Sequence, residues 1–86
     1  MKTYVVIVHD YKTGMQTPYE SVVGTFSHQA QAVTWCYQEL DKDNLRTHEP
    51  IGTGNSIEIM GDALPHRMKR FTISEHYNDK LIGVVS

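Results

Sequence analysis

A two-layer α+β sandwich is predicted, with one helix laid across an antiparallel sheet of four to five strands in the order ββαβββ. Three observations lead there. Thr3–His9 (TYVVIVH) is dense in β-branched and aromatic residues, which suit a pleated, half-buried strand. A turn and a second extended run follow it. Only one later segment, 28–40, has apolar residues at helical spacing, whereas what comes after alternates in strand fashion.

The hairpin comes first. Asp10-Tyr11-Lys12-Thr13-Gly14 supplies the turn, with Gly14 placed for a left-handed position. Gln16–Phe26 returns as the second strand, and Pro18, lacking a donor, marks an edge or a strand start. Ser27 is the expected N-cap of a helix over His28–Leu40. The apolar stripe of that helix is read at positions 30, 33, 36, 37 and 40, and its end dissolves into Asp41-Lys42-Asp43-Asn44. Residues 44–55, with Pro50, Gly52 and Gly54, form a loop of uncommon length. Ser56–Met60 alternates as a short strand with Ile57 and Ile59 inward. Asp62–His66 is either loop or one helical turn capped by Asp62. Lys69–His76 alternates again, with Phe71 and Ile73 on one face. Tyr77-Asn78-Asp79-Lys80 is a tight turn, and Leu81–Val85 the last strand.

Strand 1 is apolar on both faces, and Leu81–Val85 nearly so, which a half-solvated antiparallel strand should not be. One helix of this length cannot cover two faces. Either the long loop or the 62–66 segment covers the second face, or that face meets a protein partner or a second copy of the chain.

At 86 residues the chain is a single domain, 1–86, with 40% apolar residues, too hydrophobic and too nearly neutral for disorder. The net charge of −2 sets up no field to recruit nucleic acid or anionic lipid. Its distribution is uneven: residues 1–62 hold four basic and eight acidic side chains, residues 63–86 four basic and two acidic. Cys36 is the sole cysteine, excluding an internal disulfide and a thiolate zinc cluster. The five-residue run Tyr4–Val8 is too short for a signal-peptide core, and no segment approaches the ~20 apolar residues of a membrane span. These features together point to a cytoplasmic protein.

Catalytic chemistry finds little support. The five histidines lack the HExxH or His-x3–5-His spacing that sets two ligands on one metal. Cys36, on the predicted buried stripe, behaves as a small inert hydrophobe. No G-x-S-x-G elbow is present, and the acidic cluster Glu39, Asp41, Asp43 reads as solvated charge at a helix end. Ile51-Gly52-Thr53-Gly54-Asn55 is followed by a strand rather than a helix N-terminus, so it is no phosphate cradle. The expectation is a non-enzyme with no cofactor and no metal.

Two surfaces remain. The run His66-Arg67-Met68-Lys69-Arg70, with Phe71 and Tyr77 nearby for base stacking, is the nucleic-acid candidate, carried by Arg67, Lys69 and Arg70. Alternation splits those cations between two faces. Trp35 is the protein-contact candidate, together with Glu39, Asp41 and Asp43. It lies either opposite a stripe centred on Val33, as an exposed anchor, or at the margin of a stripe rotated toward Ala32 and Cys36.

The opening Met1-Lys2-Thr3-Tyr4-Val5, the hairpin, Ser27-x-x-Ala30-x-Ala32 leading a single helix, and three strands after it resemble many small bacteriophage-encoded accessory proteins. Some anti-CRISPR proteins have this ββαβββ order. The resemblance spans the chain as a pattern, carries no specific motif, and transfers no site residue. It implies a compact protein of the host-cell cytoplasm that binds and occludes a host nucleic-acid-processing defence complex, without a cofactor. A charge of −2 is much less acidic than is usual for blockers that mimic DNA.

Overall fold

A computed structural model describes residues 2–14, 16–17 and 19–77. It shows an α+β protein with one helix and a six-stranded antiparallel sheet. The elements are β1 (Lys2–Lys12), β2 (Tyr19–Phe26), α1 (Gln29–Lys42), β3 (Arg46–Thr47), β4 (Ile51–Thr53), β5 (Ser56–Ala63) and β6 (Arg67–Tyr77). The sheet runs β2-β1-β6-β5-β3, with β4 also pairing β5. The expected turn at 77–80 and last strand at 81–85 fall largely outside the described residues; Tyr77 itself ends β6.

The hairpin forms as expected, with Gly14 at φ 99°. Strand β2 starts at Tyr19 rather than Gln16. Val6 pairs Gly24 while Ile7 pairs Val22, so Val23 is an extra residue in a β-bulge. The long β1 and β6 pair along their whole length, from Lys2 opposite Tyr77 to Lys12 opposite Arg67. That central pairing brings the two ends of the described chain together.

Several expectations are corrected. The 44–55 loop is not a cover over the second face: it contains β3 and β4, which extend the sheet sideways by pairing β5. Two- and three-residue strands are too short to leave a periodic signal. Asp62 is not a helix cap, because β5 continues to Ala63 with Asp62 opposite Met68; residues 64–66 form the turn, with a cis Leu64–Pro65 bond. His28, not Ser27, is the helix N-cap; its backbone is extended and its side chain makes no capping bond.

The helix end is also firmer than its charged sequence suggests. Asn44 takes a left-handed φ of 58°, its N–H donates to Asp41 O at 3.0 Å, and the Leu45 N–H donates to Leu40 O at 3.1 Å. This is a Schellman closure, with asparagine in the position usually held by glycine and a hydrophobic contact between its flanking leucines. Leu40 and Leu45 are both buried.

The buried helix positions are Ala32, Cys36 and Leu40, spaced by four, with Val33, Trp35 and Tyr37 at the margins. The stripe is therefore rotated from the expected 30/33/36/37/40 set, and Ala30 is exposed. Against this ridge lie Val6 and Val8 of β1, Ile59 of β5, and Phe71 and Ile73 of β6. Gly61 of β5 lets the helix come close: a Cβ there would meet Leu40 Cδ2 at 3.0 Å and Leu45 Cβ at 3.2 Å.

Two predictions follow from this core. Gly61→Ala should lower unfolding free energy by about 1–3 kcal/mol through overpacking, read as a shifted denaturant midpoint at unchanged m-value. Burial, with a smaller push from Glu39, raises the Cys36 thiol to about 12. The native protein should therefore resist a thiol reagent at neutral pH and react only after unfolding; rapid modification of the folded protein would contradict this packing.

Candidate functional site

Alternation along β6 divides the basic run. Arg67 and Lys69 share the helix side with Phe71 and Ile73, while Met68, Arg70 and Thr72 lie on the other face. On the helix side both cations are neutralised. Arg67 grips Asp10 with Nη2 to Oδ2 at 2.9 Å and Nε to Oδ1 at 3.2 Å, a two-point fork, and reaches Asp43 at 3.5 Å. Lys69 Nζ donates to Asp43 Oδ2 at 2.7 Å and lies 5.6 Å from the centre of the Phe71 ring; its side chain is only 14% exposed. Arg67 thus engages both carboxylates and Lys69 the second of them, joining β1, α1 and β6. Of the three candidate nucleic-acid contacts, these two are therefore paired with carboxylates, and Asp43 is the acid that both of them reach.

Hydrogen bonding from Arg67 lowers the Asp10 pKa, outweighing the opposing effect of partial burial; the same bond raises that of Arg67. Charge-assisted forks of this kind are the strong ion pairs.

Trp35 occupies the margin. Its ring centre lies 5.9 Å from Phe26 in a tilted arrangement and 5.6 Å from Phe71 edge-on. It is a half-buried wall, not a free anchor. Its remaining surface lines two depressions. One, on the helix flank, is bounded by Ala30, Gln31, Thr34 and Gln38. The other lies between α1 and β2 and has a volume of about 200 Å³. Its apolar lining is Val8, Val23, Trp35 and Phe71; Asp10, Tyr19, Glu39 and Lys69 complete it.

Each wall of this pocket has a local cause. The bulge at Val23 brings its side chain to the helix side, next to Val8. Tyr19, opposite Asp10 at the start of β2, is 58% exposed. Glu39 follows Trp35 by four residues and so shares its helix face; Lys42 Nζ donates to its Oε2 at 3.0 Å. Strand β2 pairs only with β1 and forms one edge of the described sheet.

The sequence reading named Trp35 and Glu39, and the fold places both in this pocket. Asp41 is exposed and lines a separate shallow depression with Thr34, Tyr37, Gln38 and Thr47. Tyr19 and Val23 were missed. An exposed strand tyrosine carries no signal by itself, and the bulge that turns Val23 inward depends on its pairing with β1.

The opposite sheet face carries no second layer among the described residues. Val5, Ile7, Met60 and Thr72 are half-buried there, while Val22, Ile51 and Met68 are exposed. At its β3 side Asp62, buried, holds His48 Nε2 at 2.9 Å and Arg46 Nε at 3.7 Å, and the Tyr37 hydroxyl donates to His48 O at 3.0 Å. These bonds fasten the short β3 segment to β5 and to the helix. No helix among the described residues is long and apolar enough to cross a membrane.

Compared with protein-family models, curated proteins and solved structures, the chain matches none.

The Asp10–Arg67 fork yields a pH prediction. A carboxylate whose folded pKa is depressed contributes stability above its unfolded pKa, near 3.9, and loses it as pH falls through the folded value. Asp10→Asn should therefore destabilise the protein at neutral pH. The gap between variant and wild type should shrink steadily below about pH 4, as followed by denaturant unfolding across the acid range.

Proposed function

We propose that this protein is a small, non-enzymatic protein-binding module that seats a projecting side chain of its partner in the pocket between α1 and β2. The observation that carries this reading is the pocket's composition: an apolar lining of Trp35, Phe71, Val8 and Val23, with tyrosine and charge around it. Recognition pockets of this kind are mostly apolar with a few placed polar groups, and binding energy concentrates where aromatic surface is desolvated. The adjoining β2 edge adds backbone donors and acceptors next to the pocket, which suits an extended partner segment.

The resemblance to phage accessory proteins extends this reading to a blocker of a host nucleic-acid-processing complex, working in the host cytoplasm by occupying a surface. Occlusion asks for nothing more than a specific, stable contact, and this pocket offers aromatic surface from Trp35 and Phe71 for one.

Nucleic-acid binding through Arg67, Lys69 and Arg70 is the second reading, and the pairing of the first two with Asp10 and Asp43 weighs against it. Phosphate contacts would have to break those pairs or rest on Arg70 alone. A single cation supports a salt slope of about −1, far below the values of proteins that bind through many phosphates.

The test compares variants that leave the core intact. Wild-type protein, Tyr19→Ala and Glu39→Lys are used as bait against a bacterial lysate, with captured proteins quantified by mass spectrometry, and each is also passed over immobilised nucleic acid. A stoichiometric partner should be weakened at least about tenfold, roughly 1.4 kcal/mol, by Tyr19→Ala and by Glu39→Lys. Retention of the wild-type protein on nucleic acid that falls with salt, with partner capture unchanged in both variants, would transfer the function to the basic run. Trp35→Ala is a poor probe, because the ring also packs on Phe26 and Phe71 and its removal damages the fold.

A further inference from the structure

On the face away from the helix, Arg70 sits at the centre of the sheet. Its cross-strand neighbours are His9 on β1 and Met60 on β5. The guanidinium stem is enclosed to the point that Nε is fully buried, yet Nε has no hydrogen-bond partner. No ion pair reaches Arg70 from any described residue. A buried, unsatisfied nitrogen on a charged group costs a free energy comparable to a lost charge-assisted bond, and native structures rarely leave such a donor unused.

The surroundings make the vacancy of acceptors specific. Arg70 lines a cavity of about 90 Å³ with His9, Tyr11 and Met68. One water needs about 10–15 Å³ of such space, so the cavity has room for a carboxylate group. None of the four lining residues is a carboxylate. The acids on this face are directed elsewhere or stand off: Glu20 holds His9 Nδ1 at 2.8 Å, and Asp62 is taken by His48 and Arg46. Glu58, opposite Thr72 on β5, is the diagonal neighbour of Arg70 and lies outside ion-pair distance. With Nδ1 of His9 held by Glu20, the other ring nitrogen is left for a ligand, and Tyr11 adds a hydroxyl.

We propose that the Arg70–His9–Tyr11–Met68 cavity is a binding site for a carboxylate carried on an apolar stem. The terminal Nη1 and Nη2 groups of Arg70, which unlike Nε are not enclosed, take the two oxygens end-on; Met68 and the ring of Tyr11 receive the methylenes. The methionine and tyrosine lining distinguishes this site from a bare phosphate patch, which would favour further cations over apolar walls. This site is separate from the pocket between α1 and β2 and does not depend on it.

The test observes the wild-type protein by 15N-edited NMR of its arginine Nε–Hε groups. Two probes are titrated separately: butyrate, for a free organic acid, and N-acetyl-glutamate methylamide, for a glutamate side chain within a peptide. Inorganic phosphate is the comparison anion. The Arg70 resonance should shift saturably with at least one carboxylate probe, while the Arg67 resonance, locked on Asp10, stays in place. Saturation by the capped glutamate assigns the site to an acidic side chain of a protein; saturation by butyrate alone assigns it to a small acid. Arg70→Gln, with its core amide spectrum preserved, should weaken the responding probe at least about tenfold, and Arg70→Lys should fall between, having charge without the fork. The proposal is overturned if neither carboxylate saturates, if phosphate binds as tightly as either probe, or if Glu58→Gln alone moves the Arg70 resonance while the probes do not, since Glu58 would then be its partner.

Discussion

The close approach of Leu40 to Gly61 governs the rest of the architecture. With no side chain at 61, the C-terminal half of α1 settles onto β5, where Leu40 and Leu45 meet the sheet. The Schellman closure at Asn44 then turns the chain directly into β3. Because β3 pairs with β5 at Asp62 and Gly61, the same glycine lies at the contact of helix, edge strand and core. Toward β1 and β2, Trp35 fills the space by packing on Phe26 and Phe71, and the pocket opens beside it against Tyr19 and Val23.

A core with nine buried apolar side chains among the described residues is small, as surface-to-volume scaling requires at this length. The ion pairs at the sheet margin therefore carry part of the tertiary specification. Arg67 with Asp10 and Asp43, and Lys69 with Asp43, bind together the starts and ends of three elements. Their partial burial makes them less exposed to screening than surface pairs, while the desolvation they incur limits their net contribution. Their clearest effect is geometric: they fix how α1 sits over the end of the β1–β6 ladder, and with it the wall of the pocket formed by Lys69 and Phe71.

What could be read in the chain and what could not separate along physical lines. The hairpin was legible because a β-branched run, a turn and a glycine at positive φ are local signals, and Gly14 has that φ. The helix was legible in extent but not in phase, since Ala30, Ala32, Val33, Cys36 and Tyr37 permit two rotations and only packing against Phe71 and Ile59 selects one. Asp62, expected in a loop or as the cap of one helical turn, lies instead in β5, where its carboxylate is held by His48 and Arg46, neighbours brought in by β3. For the site, Trp35 and Glu39 stood out by residue type. Tyr19, Val23 and the neutralisation of Arg67 all depend on register, which emerges only when Lys12 is set opposite Arg67 and Val6 opposite Gly24.

The same register constrains the basic run. A strand displays successive residues on opposite faces, so five consecutive positions holding three cations cannot form one electropositive surface. Two of those cations fall on the face that also receives the carboxylates of Asp10 and Asp43, and there they become structural. The third falls on a face where Glu20 is held by His9 and Asp62 by His48 and Arg46, while Glu58 stands outside ion-pair distance. One isolated guanidinium among methionines and a tyrosine is a poor magnet for a polyanion, whose attraction grows with the number of phosphates neutralised. It is well suited to a single acid group, for which directional hydrogen bonds count for more than summed charge. Strand alternation thus turns what reads in sequence as a nucleic-acid patch into an internal clamp on one side of the sheet and leaves on the other the single guanidinium proposed above as an acid-binding site.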